Sequence, residues 1–345
     1  EAGMKKVKIL LISLFLFLPP AAGLTQVLDA EGRAKEVDPV RILMLRADKA
    51  YNDKDYEGSA QAYIALLQHK PGYGMAAYSI ACNYSLMDKK KEAIKWLEKA
   101  VEWGFYGFEN DTDLNNISNT GQYKKILTRA RKMIAELRPK IAKPVVELPQ
   151  DYDSTKTYGL LVCLHGYSDN PSYFIQTLAG VPQQLGYIVV APYGLEILGK
   201  ESFGWGNSVE TERNVLAAVK EAQAKYRIDP AKIILMGFSQ GASRTYYTGT
   251  KNAGLFKGII PIAGRYDYDS TVVQFLPRSR VNGLKVFIMV GQLDNEKFIN
   301  ANQLAVKFFM TAGITVSLNV YAGIGHTLLP NKKEELQRAI EWVEK

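Results

Sequence analysis

Three histidines and two cysteines are all that this chain of 345 residues contains. That scarcity excludes a good deal. Metal centres built from His and Cys need several ligands at short spacings, and no such spacing is present, so no metal is expected. Cys82 and Cys163 fall in different regions, each inside an apolar segment. Two buried free thiols are therefore expected, not a bridge. Clustered positive charge is missing too. The net charge is +8, but the basic residues are scattered among acidic ones. Without a basic patch interleaved with aromatics, nucleic acid is not an expected partner. There is no long low-complexity tract, and the hydrophobic share of 47% is that of a folded domain.

Long apolar runs are also few. One stands out, Ile9–Leu18, and it is too short for a membrane span of about 20 residues. Lys5, Lys6 and Lys8 precede it, Pro19-Pro20 break it, and Ala21-Ala22-Gly23 follow. A positive region, a short apolar core and a small-residue exit read as a secretory signal peptide over residues 1–23. Met4 is then the start, with Glu1-Ala2-Gly3 a short remnant ahead of it. Removal takes away three lysines and one glutamate, a net +2, and leaves +6. The protein is thus expected to be exported, periplasmic or secreted, with no stable membrane span left. Retention of the segment as an N-terminal anchor is the rival reading.

Residues 38–138 show helical periodicity and no strand-like run. They also repeat: Tyr56–Leu67 aligns with Lys90–Val101 at an offset of 34 positions. Small residues fall where paired helices must approach closely, at Ala47 and Ala81 and at Ser59 and Ala93. The segment resembles tetratricopeptide repeats, about two units and a final helix from Gly121 to Leu137. Such a module either docks a protein or peptide partner or packs on its neighbour and shields it. Two units make only a short concave surface, which favours packing.

Prolines at 139 and 144 in a charge-rich stretch mark a boundary. Beyond it, residues 139–345 alternate apolar strands with amphipathic helices. The strands are read at Val145–Leu148, Tyr158–Leu164, Tyr187–Ala191, Lys232–Met236, Gly258–Ala263, Lys285–Val290 and Val316–Tyr321. The pattern predicts an α/β domain, a mostly parallel sheet with helices on both faces, preceded by the all-α region.

The loops at strand ends carry the chemistry. Gly237-Phe238-Ser239-Gln240-Gly241 sits between a strand and a helix, the setting of a nucleophile elbow. Gly291–Asp294 and Gly323–His326 follow the next two strands of interest, which gives the order Ser, Asp, His found in α/β-hydrolases. A serine hydroxyl is a weak nucleophile at neutral pH and needs a base. His326 is the candidate base, because His69 lies in the repeats and His165 in another strand-end loop. Asp294 is the candidate for orienting it, with Asp267 and Asp269 as competitors. Developing negative charge on the substrate oxygen needs amide donors, and the backbone N–H groups of Gln240 and Tyr167 are placed to supply them. Trp205 and Phe203, in the loop 193–207, are the candidate substrate contacts together with Tyr167, alongside the reading that these aromatics simply close the core.

Leu164–Pro171, Phe203–Gly206, Glu212–Val215 and Ile228–Ala242 together resemble the phospholipase/carboxylesterase family and the related polyhydroxybutyrate-depolymerase-like and feruloyl-type esterases, over about residues 145–345. The resemblance implies hydrolysis of carboxylic esters, sometimes thioesters, without a cofactor. The thioesterase branch usually has a further glycine where this chain has Ala242. The expectation is therefore an exported serine carboxylic-ester hydrolase acting on a small or polymer-linked ester. The alternatives are a serine peptidase of the same fold and a scaffold working through its repeats.

Overall fold

The computed structural model describes residues 27–28, 34–35, 38–141, 143–266, 283–328 and 331–345. The segment read as a signal peptide lies outside them, as do Asp267 and Asp269. The chain forms two compact units, residues 1–71 and residues 72–345.

The first unit contains a helical hairpin, α1 (Pro39–Asn52) and α2 (Tyr56–His69). Its sequence writes its own caps. Asp38 accepts from the Val40 N–H with Pro39 opening the helix, and Asp55 accepts from the Gly58 N–H. The second unit opens with a similar hairpin, α3 (Gly74–Leu86) and α4 (Lys90–Glu102). Lys54 and Asp88 turn their respective hairpins with positive φ, 62° and 58°. They stand 34 residues apart, so the sequence offset reappears in the backbone. Ala77, Ala81, Ala93 and Ala100 are fully buried in the second hairpin, where larger side chains would hold the helices apart. Helix α5 (Gly121–Leu137), capped by Thr120, adds Tyr123, Ile126 and Ala130 to the same core. This all-helical region of about a hundred residues precedes the sheet.

Among the described residues the sheet has seven strands: β1 (Val145–Glu147), β2 (Tyr158–Leu164), β3 (Tyr187–Ala191), β6 (Ile228–Phe238), β7 (Gly258–Ile262), β8 (Lys285–Gly291) and β9 (Thr315–Tyr321). A separate hairpin, β4 (Glu196–Gly199) with β5 (Ser202–Gly204), stands outside it. The order across the sheet is β9-β8-β7-β6-β2-β3-β1. Of these seven, only the edge strand β1 runs antiparallel to its neighbour. Every residue of β2, β3 and β7 is buried, as expected for strands covered on both faces. Alternation along β2 shows the two layers. Leu160, Val162 and Leu164 point into one core with Val215, Tyr246 and Phe309. These come from α7 (Ser208–Lys225), α8 (Gln240–Lys251) and α9 (Glu296–Thr311). Leu161 and Cys163 point into the other, with Phe174, Leu336 and Ile340. These come from α6 (Pro171–Thr177) and α10 (Lys332–Glu344). Both cysteines are buried and free.

The second compact unit runs through the 139–144 boundary read from the sequence. The reason is Leu198 of the β4–β5 hairpin, fully buried in the helical core beside Phe105, Phe108 and Leu114. Among the described residues, no helix is long and apolar enough to cross a membrane.

Candidate active site

The central strand β6 ends at Phe238, and helix α8 begins at Gln240. Ser239 makes the turn alone, with φ 53° and ψ −116°. That is a costly backbone for a residue with a side chain. The flanking glycines let the turn close. A Cβ on Gly237 would stand 2.5 Å from the backbone of Gly241, and one on Gly241 would run into Leu164 O and 2.5 Å from His165 O. The turn is pinned on both sides: the Ser239 N–H donates to Ile262 O (2.9 Å), and Ser239 O accepts from the Ser243 N–H (3.1 Å).

Two further loops meet the elbow at the carboxyl ends of their strands, where sites form in open α/β sheets. They are zipped together. The Gln292 N–H donates to Tyr321 O (2.9 Å), and the Leu293 N–H donates to Ile324 O (2.8 Å). Gly291 admits the backbone of Ile324 and Gly325 at contact distance. His326 is thereby brought to Asp294. Its Nδ1 lies 3.0 Å from each carboxylate oxygen, and its Nε2 lies 2.8 Å from Ser239 Oγ. The Asp294 carboxylate is fully shielded from solvent, while a third of the His326 side chain remains open. Phe238 and Phe298 flank the imidazole, with ring centroids 5.4 and 5.0 Å away. This is the arrangement in which an aspartate fixes the tautomer of a histidine that in turn holds a serine hydroxyl.

The loop after β2 completes the surroundings. A Cβ on Gly166 would stand 3.8 Å from that of Ser239, so the next residue, Tyr167, lies beside the elbow. The N–H groups of Tyr167 and Gln240 have no hydrogen-bond partner among the described residues.

Residues 206–345 match the family model described as Phospholipase/Carboxylesterase. This stretch is similar to phospholipase/carboxylesterase domains. Two curated relatives agree with that. One is the probable carboxylesterase SOBER1-like of Arabidopsis thaliana, 29% identical over 149 residues, covering 39% of this chain and 53% of that protein. The other is the probable feruloyl esterase C of Aspergillus terreus, 28% identical over 132 residues, covering 35% and 45%. The chain spans about half the length of the curated relatives it matches. An uncharacterized protein from Bacillus cereus ATCC 10987 shares the fold, with a TM-score of 0.50 and 19% identity over 88% of this chain and 98% of that one.

His165 is not part of the relay but shapes the loop. It is fully buried. Its Nδ1 donates to Gly166 O (2.7 Å), and its Nε2 accepts from the Gly194 N–H (3.0 Å). An accepting Nε2 requires the neutral ring, and burial lowers the His165 pKa to about 4. Phe203 and Trp205 depart from the expected substrate contact. They are 3% and 0% exposed, so neither offers a face to a substrate. Trp205 is a brace instead. Its indole N–H donates to His165 O (2.7 Å), and its backbone N–H donates to the Gln240 side chain (3.1 Å). The exposed aromatics near the loop are Tyr167 and Tyr173. Phe298 was not legible as a neighbour of His326, although the capping Asn295 and Glu296 in the first turn announce the helix start that places it.

Proposed function

We propose that the protein is a serine carboxylic-ester hydrolase working through an acyl-enzyme on Ser239. His326 Nε2 takes the Ser239 proton as Oγ attacks the ester carbonyl. Asp294 holds the ring and balances the positive charge it gains. The carbonyl oxygen, now negative, is met by the N–H groups of Gln240 and Tyr167. Collapse of this intermediate breaks the bond to the alcohol oxygen, which receives the proton from His326. Water, activated by the same histidine, then attacks the acyl group and frees Ser239.

The observation that carries this reading is the unbroken relay from Asp294 through His326 to Ser239 Oγ, at 3.0 and 2.8 Å, opening on solvent at a strained elbow. The resemblance to carboxylesterases supports the ester as substrate. The test is turnover of short p-nitrophenyl esters by the full chain and its Ser239→Ala variant. Loss of turnover in the variant is expected; equal turnover refutes the assignment. Matched ester and amide substrates separate this reading from a peptidase, since the same relay attacks both. We further propose export, supported by the Lys5–Gly23 pattern. An N-terminus beyond Gly23 in the mature chain is the expected finding, and an intact Lys5–Leu18 segment in that chain would oppose it.

A further inference from the structure

We infer that the helical region positions the oxyanion loop, through a backbone ladder that runs from the turn after α4, across the β4–β5 hairpin, to Ser168 and Asp169 beside Tyr167. The inference rests on the serine-hydrolase reading above and adds a positioning role for residues 103–107, which lie far from the relay in sequence.

The ladder has three steps. At the first, the Tyr106 and Gly107 N–H groups both donate to Leu198 O, at 2.5 and 3.0 Å, and the Lys200 N–H donates to Gly104 O at 3.2 Å. Phe105 and Gly199 form an antiparallel bridge there. At the second, β4 pairs with β5, Ile197 opposite Phe203. At the third, β5 pairs outward with the loop after β2. The Ser168 N–H donates to Phe203 O (2.9 Å), the Phe203 N–H donates to Asp169 O (3.0 Å), and the Ser168 and Ser202 hydroxyls lie 2.7 Å apart. Tyr173 Oη donates to Glu201 and Asn170 Nδ2 to Glu201 O, tying the hairpin tip to the same loop.

Close packing makes the first step specific. A Cβ on Gly107 would collide with the Leu198 side chain and stand 2.8 Å from its Cα, and one on Gly199 would collide with Gly104 O. Neither glycine has a positive φ, so what requires glycine there is the approach of the two chains. The last step has something to hold. Ser168 sits at φ 63°, a conformation that persists only where neighbours impose it. It directly follows Tyr167, whose N–H is the proposed donor. Tyr167 also senses the helical region: burial and the carboxylates of Glu196 and Asp111 push its hydroxyl pKa up to about 12. Asp111 belongs to the helical region, held there by the Tyr78 hydroxyl. A donor shifted by about 1 Å can cost about 100-fold in rate, so a slackened ladder reads out in catalysis.

Gly107→Ala tests this in the full chain. Its kcat on a short p-nitrophenyl ester is expected to fall by about 10- to 100-fold per active site titrated with a fluorophosphonate, with KM changed by less than about twofold. Leu97→Ala supplies the control, because Leu97 is fully buried in the same helical core but makes none of the ladder's backbone hydrogen bonds. It is expected to lower the melting temperature and leave kcat per titrated site unchanged. Equal kcat losses in both variants, or none in folded Gly107→Ala, would overturn the inference. If Gly107→Ala does not fold, amide exchange on the unaltered chain decides. Tyr106, Lys200, Phe203 and Ser168 are expected to exchange together. Fast exchange at Tyr106 and Lys200 with protection at Ser168 overturns it. An unlabelled Ser239 in the unaltered chain would instead remove the hydrolase reading and leave the ladder standing.

Discussion

At the scale of single residues, the proposed chemistry asks each member of the relay to do something its neighbours cannot. Ser239→Ala and His326→Ala should each remove nearly all turnover, and the double variant should lose little more, since the residues act as one unit. Asp294→Asn keeps the shape but favours the wrong tautomer, so a fall in kcat of about 10⁴ is expected with KM little changed. Steady-state kinetics on a p-nitrophenyl ester checks all four variants. His165 leads to a different prediction, one about stability. Folded, it is neutral, with a pKa of about 4 against the ordinary 6.5. Between those values the unfolded chain binds a proton that the folded chain refuses. Its contribution is therefore full above pH 6.5 and is lost as the pH falls towards 4, by up to about 3 kcal/mol. Urea unfolding at pH 7 and pH 4 should show a loss of that order, reduced in His165→Asn.

At the scale of elements, the elbow is where sequence and structure correspond most directly. Gly241→Ala must displace backbone at Leu164 and His165, so a destabilisation of about 1–3 kcal/mol is expected from denaturant unfolding, with activity falling further than stability. The long buried strands were legible because continuous apolar runs such as Tyr158–Leu164 leave a sheet covered on both faces as the natural solution. The meeting of Ser239, Asp294 and His326 was legible because chemistry and strand-end position both constrained it. The β4–β5 hairpin was not legible. Strands of four and three residues, Glu196–Gly199 and Ser202–Gly204, carry too few alternations to register as a period. The sequence marks Phe203 and Trp205 as aromatics near the site, but aromatic character alone does not separate a residue that lines a cleft from one that braces it. Both are held by partners distant in sequence, Trp205 by His165 and Gln240 and Phe203 by Ser168 and Asp169.

At the scale of the whole molecule, residues 72–345 form one compact unit although composition marks a break near 139–144. The shared core around Leu198 explains why. It predicts that α3 to α5 and the sheet domain melt together. Loss of helical signal and loss of esterase activity on heating should coincide, whereas activity that survives melting of those helices would show two independent bodies. The central claim remains the one at Ser239, and fluorophosphonate labelling of the full chain with site mapping by mass spectrometry tests it most directly. The account predicts a single adduct on Ser239, absent in Ser239→Ala and strongly slowed in His326→Ala. Esterase activity with no adduct at Ser239, or with an adduct on another serine, would contradict it.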